Sequence, residues 1–564
     1  MAFNGQTFLG YQLPKLLDTN MARGMPLTSK QLDQWFSGLP LLNVQQLLSQ
    51  IPKYIYKINR LPISDSQRFS ILERLRPIVD YLYNSIIKQI RGRNLYLSKE
   101  YREFEYLTRE LVMGMALGYQ RLLFNKAKNK PFFFSRGTYR LLAQRTMYYL
   151  GEQIRVSYLL SIAVPKNVWK DFNVSYAFTV YFRLNKATLV DQFAYYHNNK
   201  GSIDSLYHRI LLLTMISPYS LRNGELDHVY FGLASCLNNI KLTKKIEEQG
   251  YGHILDLESD MGPLYVEQNT LQQTALRVDN RTLLDKLTLW LESGTPPISV
   301  TEHRISTKLL KHLISNLDVA KRGERQRLDS DGGQLEVITG LQDIHVFLQN
   351  IRSLVSDNRA TPIAEISEGK PAEAFHNIWG RRLESSWDSH QFYESSTASR
   401  HKMQNRSEAR AAPSVRRHDF TVENESETSV CISCNSLHGN GLFIGELMLI
   451  RGYNFETWTL GTVLWMNLSG KQLKVGLQLL SAKVDWVTVD KVGTNDDVLI
   501  DALWLAGNEQ GDTLLLAYAE FQTGDAIQLN HHSNSSIVTL GEIVWHSEGF
   551  AQFRFVVESS EKII

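Results

Sequence analysis

Three cysteines in 564 residues leave no basis for a disulfide framework, and so few in so long a chain suggest a reducing compartment. Long apolar runs are missing too: no stretch approaches the ~20 residues of a membrane span. The opening Met1-Ala2-Phe3-Asn4-Gly5 has neither the charged nor the apolar region of a signal peptide. A cytoplasmic protein without a transmembrane segment is expected. The chain lacks Gly-x-x-x-x-Gly-Lys-Ser/Thr, His-Glu-x-x-His and Gly-x-Ser-x-Gly, so no catalysis is expected either.

Net charge is only +3, too little to point to nucleic acid, but the charge is unevenly spread. From Thr421 onward there are 7 Lys/Arg against 18 Asp/Glu, and before it 54 against 40. The front is basic and the back acidic.

Metal and nucleotide signatures are thin. Cys431-x-x-Cys434 has no second Cys/His pair at zinc spacing and lies in a strand-like run, where residues three apart face opposite sides. His531-His532 has no carboxylate close by in sequence. Gly439-Asn440-Gly441 with Gly445 approximates a dinucleotide fingerprint but sits between strands, without the helix N-terminus that holds a pyrophosphate. No metal and no resident cofactor are expected. The basic cluster Lys321 to Arg327 reads as a solvated turn, with phosphate contact as the alternative.

What the sequence does have begins with helical periodicity from Gln31 to about Ile240. Ser64 can cap a helix carrying Ile71, Leu72, Leu75, Val79, Leu82 and Ile86 at three- and four-residue spacing, with Pro77 expected to bend or split it. Tyrosines at the apolar positions are expected to pack between helices. Short strands are expected over residues 252–257, 262–267 and 334–340, and a helix over 342–352. From Ser356 to Pro413 the composition turns to Ser, Glu, Arg, Asn and His, which suggests a disordered linker containing two aromatic islands.

The C-terminal part is β-rich. Leu442 to Arg451, Trp458 to Trp465 and Lys474 to Leu480 are separated by turn residues, and Val463 and Trp465 alternate with Thr462 and Leu464 as a strand with one face inward. Thr459-Leu460-Gly461 ending in Trp465 recurs as Thr539-Leu540-Gly541 ending in Trp545, an internal repeat that predicts two barrels, each with a buried tryptophan.

Gly445-Glu446-Leu447, then Trp458-x-x-Gly461-x-Val463-x-Trp465, then Val475-Gly476-Leu477-x-Leu479-Leu480 resembles the second half of a PilZ domain, the bacterial receptor module for cyclic di-GMP. The longer stretch from Lys53 to Arg352, with Leu72 to Pro77, Ser217 to Glu225 and Gly340 to His345, resembles the long PilZ-containing proteins of proteobacteria. The resemblance implies an Asp/Asn-x-Ser-x-x-Gly motif on the barrel and an arginine pair in the lead before it. Asn424-x-Ser426 matches the first, with Ser429 where glycine is expected. Cys434-x-Ser436-x-x-Gly439 is a second register without the Asp or Asn. Arg406 and Arg410 have the arginine spacing, and Arg416 and Arg417 lie closer to the barrel.

The expected fold is α+β and multidomain, mostly helical at the N-terminus, followed by tandem antiparallel β-barrels of which the first is PilZ-like. Its expected divisions are a helical domain over 1–355, a linker over 356–414, the PilZ-like barrel over 415–490 and a second barrel over 491–564. Two functions are open. One is a cyclic di-GMP effector using Arg406, Arg410, Arg416, Arg417, Asn424 and Ser426. The other is a protein-interaction scaffold that has kept the barrel and lost the ligand. A protein partner is expected through the helical domain or the acidic barrels.

Overall fold

The computed structural model describes residues 9–356 and 417–562 apart from short stretches, the longest being 18–23, 91–98, 130–135, 192–199, 245–251, 267–274, 296–304, 319–327, 436–441 and 493–498. The expected linker and its aromatic islands therefore lie outside the described residues, as do the basic cluster, Arg406, Arg410 and Arg416.

Eight helices build the front: α1 (Ser29–Ser37), α2 (Val44–Ile58), α3 (Asp65–Ile90), α4 (Lys99–Asn129), α5 (Arg136–Leu159), α6 (Val168–Tyr181), α7 (Ile203–Met215) and α8 (Glu225–Gly232). Their starts follow from capping chemistry: Ser64 Oγ accepts from the Gln67 N–H, and Thr28 and Gln31 form a reciprocal box. Pro77 does not split α3. The backbone bond it removes is outweighed by burial on both sides, from Ile71, Leu72 and Leu75 before it to Val79, Leu82 and Ile86 after it.

The core tyrosines both pack and bond. Tyr83 and Tyr230 donate to Glu152 at 2.7 and 2.6 Å, and Tyr119 donates to Glu73 at 2.6 Å. Those acids in turn hold buried arginines, Arg155 on Glu152 at 2.7 Å and Arg145 on Glu73 at 2.9 Å. Asp191 takes Arg76 and Arg145 at 2.8 and 2.6 Å. Buried charges survive because each meets an opposite charge and further donors.

Beyond α8 the chain changes habit. A small hairpin, β1 (Leu189–Val190) with β2 (Lys200–Gly201), precedes α7, and a four-stranded sheet follows α8: β3 (Lys241–Thr243), β4 (Gly252–Asp256), β5 (Leu264–Val266) and β6 (Ala275–Asp279). Next come α9 (Arg281–Ser293) and α10 (Thr307–Leu317).

The first barrel does not begin after the linker. Its strands are β8 (Gln334–Thr339), β9 (His418–Ser426), β10 (Ser429–Cys434), β11 (Leu447–Gly452), β12 (Phe455–Ser469) and β13 (Gln472–Ser481). Strand β8 closes the ring by pairing with both β9 and β11, and the two-residue β7 (Leu328–Asp329) extends it along β9. A barrel strand thus comes from the stretch expected to be helical domain. Helix α11 (Leu341–Ser356) leaves β8 through Gly340, whose φ is 88°.

The second barrel is closed by β14 (Val484–Lys491), β15 (Ile500–Asn508), β16 (Gly511–Ala517), β17 (Ala526–His531), β18 (Asn534–His546) and β19 (Phe550–Lys562). It begins at Val484, seven residues before the expected start at 491 (491 − 484).

The internal repeat is structural. β12 bulges between Val463 and Trp465 against β13, and β18 bulges between Ile543 and Trp545 against β19. The extra residue reverses the alternation, so Val463 faces the first core while Trp465 turns to the outer wall. Both tryptophans are half-buried, which corrects the expectation that each is a core residue.

Two contacts tie the parts together. Ser161–Ala163, after α5, bonds to Leu468 of β12 in both directions, at 2.7 and 3.1 Å, and one apolar cluster runs from the helices into the first barrel. Between the barrels, Ile344 and Phe347 of α11 pack with Leu447, Leu449 and Leu460 of one wall and with Leu503, Leu505 and Leu515 of the other.

Candidate ligand site on the first barrel

Arg417 is the last residue of the lead before β9. The strand alternates from there, with His418, Phe420 and Val422 buried and Asp419 exposed. In register, Asp419 faces Glu336 of β8, and Glu336 faces Arg451 of β11. Arg417 Nη1 donates to Glu336 at 3.1 Å, and its guanidinium stands 5.2 Å from the centre of the Phe347 ring. Phe347 meets Trp458 edge-on at 4.8 Å, and the Arg451 guanidinium lies 5.9 Å from Trp458.

The outer wall therefore carries a row, Arg417, Phe347, Trp458 and Arg451, drawn from the lead, α11, β12 and β11. A guanidinium beside an aromatic face can stack on a planar base, and its fork can pair with phosphate. Glu336 occupies the Arg417 fork in this arrangement. Both members of that pair are substantially exposed, so its contribution to stability is small.

Asn424 and Ser426 stand elsewhere. They lie seven and nine residues along β9 from Arg417, roughly 23 and 30 Å at the rise of an extended strand. Asn424 sits opposite Cys431, and Ser426 Oγ lies 2.7 Å from Ser429 Oγ, closing the turn between β9 and β10. Ser429 in place of glycine thus has a local role. The hairpin returns the end of β10 to the start of β9, with Ser433 opposite Thr421. Of the second register, Cys434 ends β10 at that end of the hairpin, and Ser436 and Gly439 lie outside the described residues.

One polar cluster lies along the same wall. Glu423, the bulged residue of β9, accepts from Ser433 at 2.6 Å, Gln472 at 3.2 Å and Lys474 at 2.9 Å. The Ser433 hydroxyl and the Lys474 ammonium hold its carboxyl below the usual range.

Sequence reading missed Phe347, Trp458, Arg451 and Glu336 as site residues. Each reads only as part of a strand or helix, because the contacts join residues up to 111 apart (458 − 347) and no local motif marks them. The structure also gives His531 the carboxylate its sequence neighbours lack, Asp485 at 3.1 Å, with the ring 4.6 Å from Trp504. Among the described residues no three His, Cys, Asp or Glu gather as a metal site, and no helix is long and apolar enough to cross a membrane.

Comparison with known proteins bears on both halves. Residues 30–247 match the N-terminal domain family of the cyclic-di-GMP receptor FimW, and residues 253–485 match the family of its middle PilZ domain. The chain is 22% identical over 560 residues to the cyclic-di-GMP receptor FimW of Pseudomonas aeruginosa, an alignment covering 94% of this chain and 90% of that protein. The PilZ match starts at residue 253, far ahead of Val415, in keeping with a barrel whose first strand precedes the expected linker. No solved structure matches the chain.

Proposed function

Because the chain belongs to the long PilZ-domain proteins with a helical N-terminal half, we propose that it is a cyclic di-GMP effector whose ligand binds at the arginine end of the first barrel. The observation that carries the site is the row Arg417, Phe347, Trp458 and Arg451. The ligand has two phosphates and two guanines, so it asks for guanidinium forks and flat partners together. Arg416 and Arg417 supply the adjacent forks, with Arg406 and Arg410 as the spaced pair from the same lead. Trp458 and Arg451 supply the flat partners, and Phe347, buried beneath them, backs Arg417. Asn424 and Ser426 fall outside this site by distance.

The same geometry suggests an output. Phe347 touches Arg417 on one side and belongs to the apolar layer between the barrels on the other. Drawing Arg417 from Glu336 to a phosphate changes what Phe347 packs against, and α11 carries that change toward the second barrel. A scaffold without ligand is not favoured, given the cyclic-di-GMP receptor families that cover both halves of the chain.

The test is calorimetric titration of cyclic di-GMP into the full chain. A fragment from His401 onward omits β7, β8 and α11, so the barrel would lack a strand. Arg416→Ala with Arg417→Ala should weaken binding about ten- to a hundredfold for each charge-assisted bond lost. Absence of binding by the wild type at high micromolar ligand and low salt would remove the receptor reading.

A further inference from the structure

A cavity of about 840 Å³ opens in the helical half, far in sequence from the barrel site, between α6, α7 and β3. That is ample for a small organic ligand. Two groups on one face of α7, Asp204 and His208, line it. Asp204 Oδ1 accepts from the Tyr176 hydroxyl at 3.0 Å and from the Asn185 amide at 2.8 Å, and these two bonds leave Oδ2 free.

His208 is only 9% exposed, and its Nδ1 lies 3.3 Å from the Leu237 carbonyl. A carbonyl only accepts, so Nδ1 carries the proton and Nε2 is left as an acceptor with no protein partner. Burial lowers the His208 pKa, with the Asp204 charge opposing, which keeps the ring neutral in this tautomer. The lining thus presents two acceptors and asks for donors.

The walls and mouth define the rest of the ligand. Tyr176 is fixed by parallel stacking on Tyr207, with centroids 3.8 Å apart, and gives the cavity an aromatic wall. Lys186, Lys241 and Lys244 line the cavity too, and all three are exposed. Acceptors within, an aromatic wall and three ammonium groups at the mouth suit a base with a donor edge that carries a phosphate.

We infer that this cavity binds a guanine nucleotide, with the base against Asp204 and His208 and the phosphate toward the lysines. Guanine alone among the common bases presents its ring N–H and amino group side by side. Adenine and cytosine set an acceptor beside the amino group, and uracil flanks its N–H with two carbonyls, so each would bring an acceptor against the Asp204 carboxylate. This inference is independent of the barrel site.

The experiment titrates guanosine monophosphate into the full chain carrying Arg416→Ala with Arg417→Ala, which weakens the barrel site without touching the cavity. It should bind at least about tenfold more tightly than adenosine monophosphate. Asp204→Asn turns an acceptor into a donor and should weaken guanosine monophosphate about ten- to a hundredfold. Lys241→Ala with Lys244→Ala should weaken the nucleotide but leave unphosphorylated guanosine unchanged within about twofold. Equal affinity for the two monophosphates or no binding at about 1 mM would overturn the proposal. Indifference to Asp204→Asn would overturn it too. Should Asp204→Asn fail to fold, the base preference of the chain with Asp204 intact and the exposed lysine pair still decide.

Discussion

The indole of Trp465 lies against the backbone of Gly476, its partner across β12 and β13, so closely that a Cβ on Gly476 would stand 2.0 Å from Nε1. The glycine is needed for space rather than for an unusual φ. In the repeat, the partner of Trp545 is Gln552, which donates to Thr513 at 2.9 Å, and the tryptophan packs instead on Phe550 at 5.1 Å. The two barrels share the bulge and differ in what covers it.

Gly476→Ala should therefore destabilise the protein by about 1 to 3 kcal/mol, the usual cost of overpacking, and shift the Trp465 emission. In a Trp465→Ala background the same substitution should be nearly neutral, because the clash has one partner. Trp465→Ala alone should cost less than the roughly 3 to 5 kcal/mol of a core tryptophan, since the indole is half-buried. Chemical denaturation of the four proteins gives the cycle, and a Gly476→Ala penalty that persists without the indole would contradict this contact.

This pair also marks the limit of sequence reading. The strands β11 to β13 were legible from turn residues and alternation, and the helices from three- and four-residue spacing. The bulge was not, because inserting one residue into a strand leaves the apolar pattern intact while it reverses every side chain beyond it. Strand β8 was seen as a strand but not as part of the barrel, since its partner β9 begins some 80 residues later. Asn424 and Ser426 matched a motif by spelling, and it is the length of β9 that sets them roughly 23 and 30 Å from Arg417.

The placement of β8 changes what a cut in residues 357–416 should do. With a specific protease site inserted there, cleavage should give two pieces that stay together on gel filtration. Strands β8 and β11 exchange backbone bonds from Glu336 to Thr339, and the helical and barrel cores form one cluster. Denaturant should be needed to separate them. Two independent peaks without denaturant would mean that the halves are separate folding units.

Glu336 competes for the fork that the proposed ligand needs. Glu336→Gln removes the opposing charge from Arg417 while keeping the shape of the side chain. Cyclic di-GMP should then bind several-fold more tightly to the full chain, with stability changed by less than about 1 kcal/mol, as for other exposed pairs. Weaker binding would show that Glu336 positions Arg417 for the ligand rather than occupying it.

Glu446 gives the fold a pH dependence whose sign is fixed. It follows Gly445 at the turn into β11, and burial raises its carboxyl from the ordinary 4.5 to about 7, opposed only by the Leu447 N–H. The folded chain holds this proton more tightly than the unfolded chain. Its contribution is therefore complete below about pH 4.5, falls as pH rises toward 7 and is lost above it. The two values differ by at most about 3 kcal/mol in free energy. Asp171, raised by burial to about 6, slopes the same way, so the total curve cannot assign the effect. The difference between wild type and Glu446→Gln can: the variant should be the more stable of the two at pH 8, and the gap should narrow toward pH 5. Parallel urea-melting curves for the two proteins across that range would show that Glu446 does not titrate there.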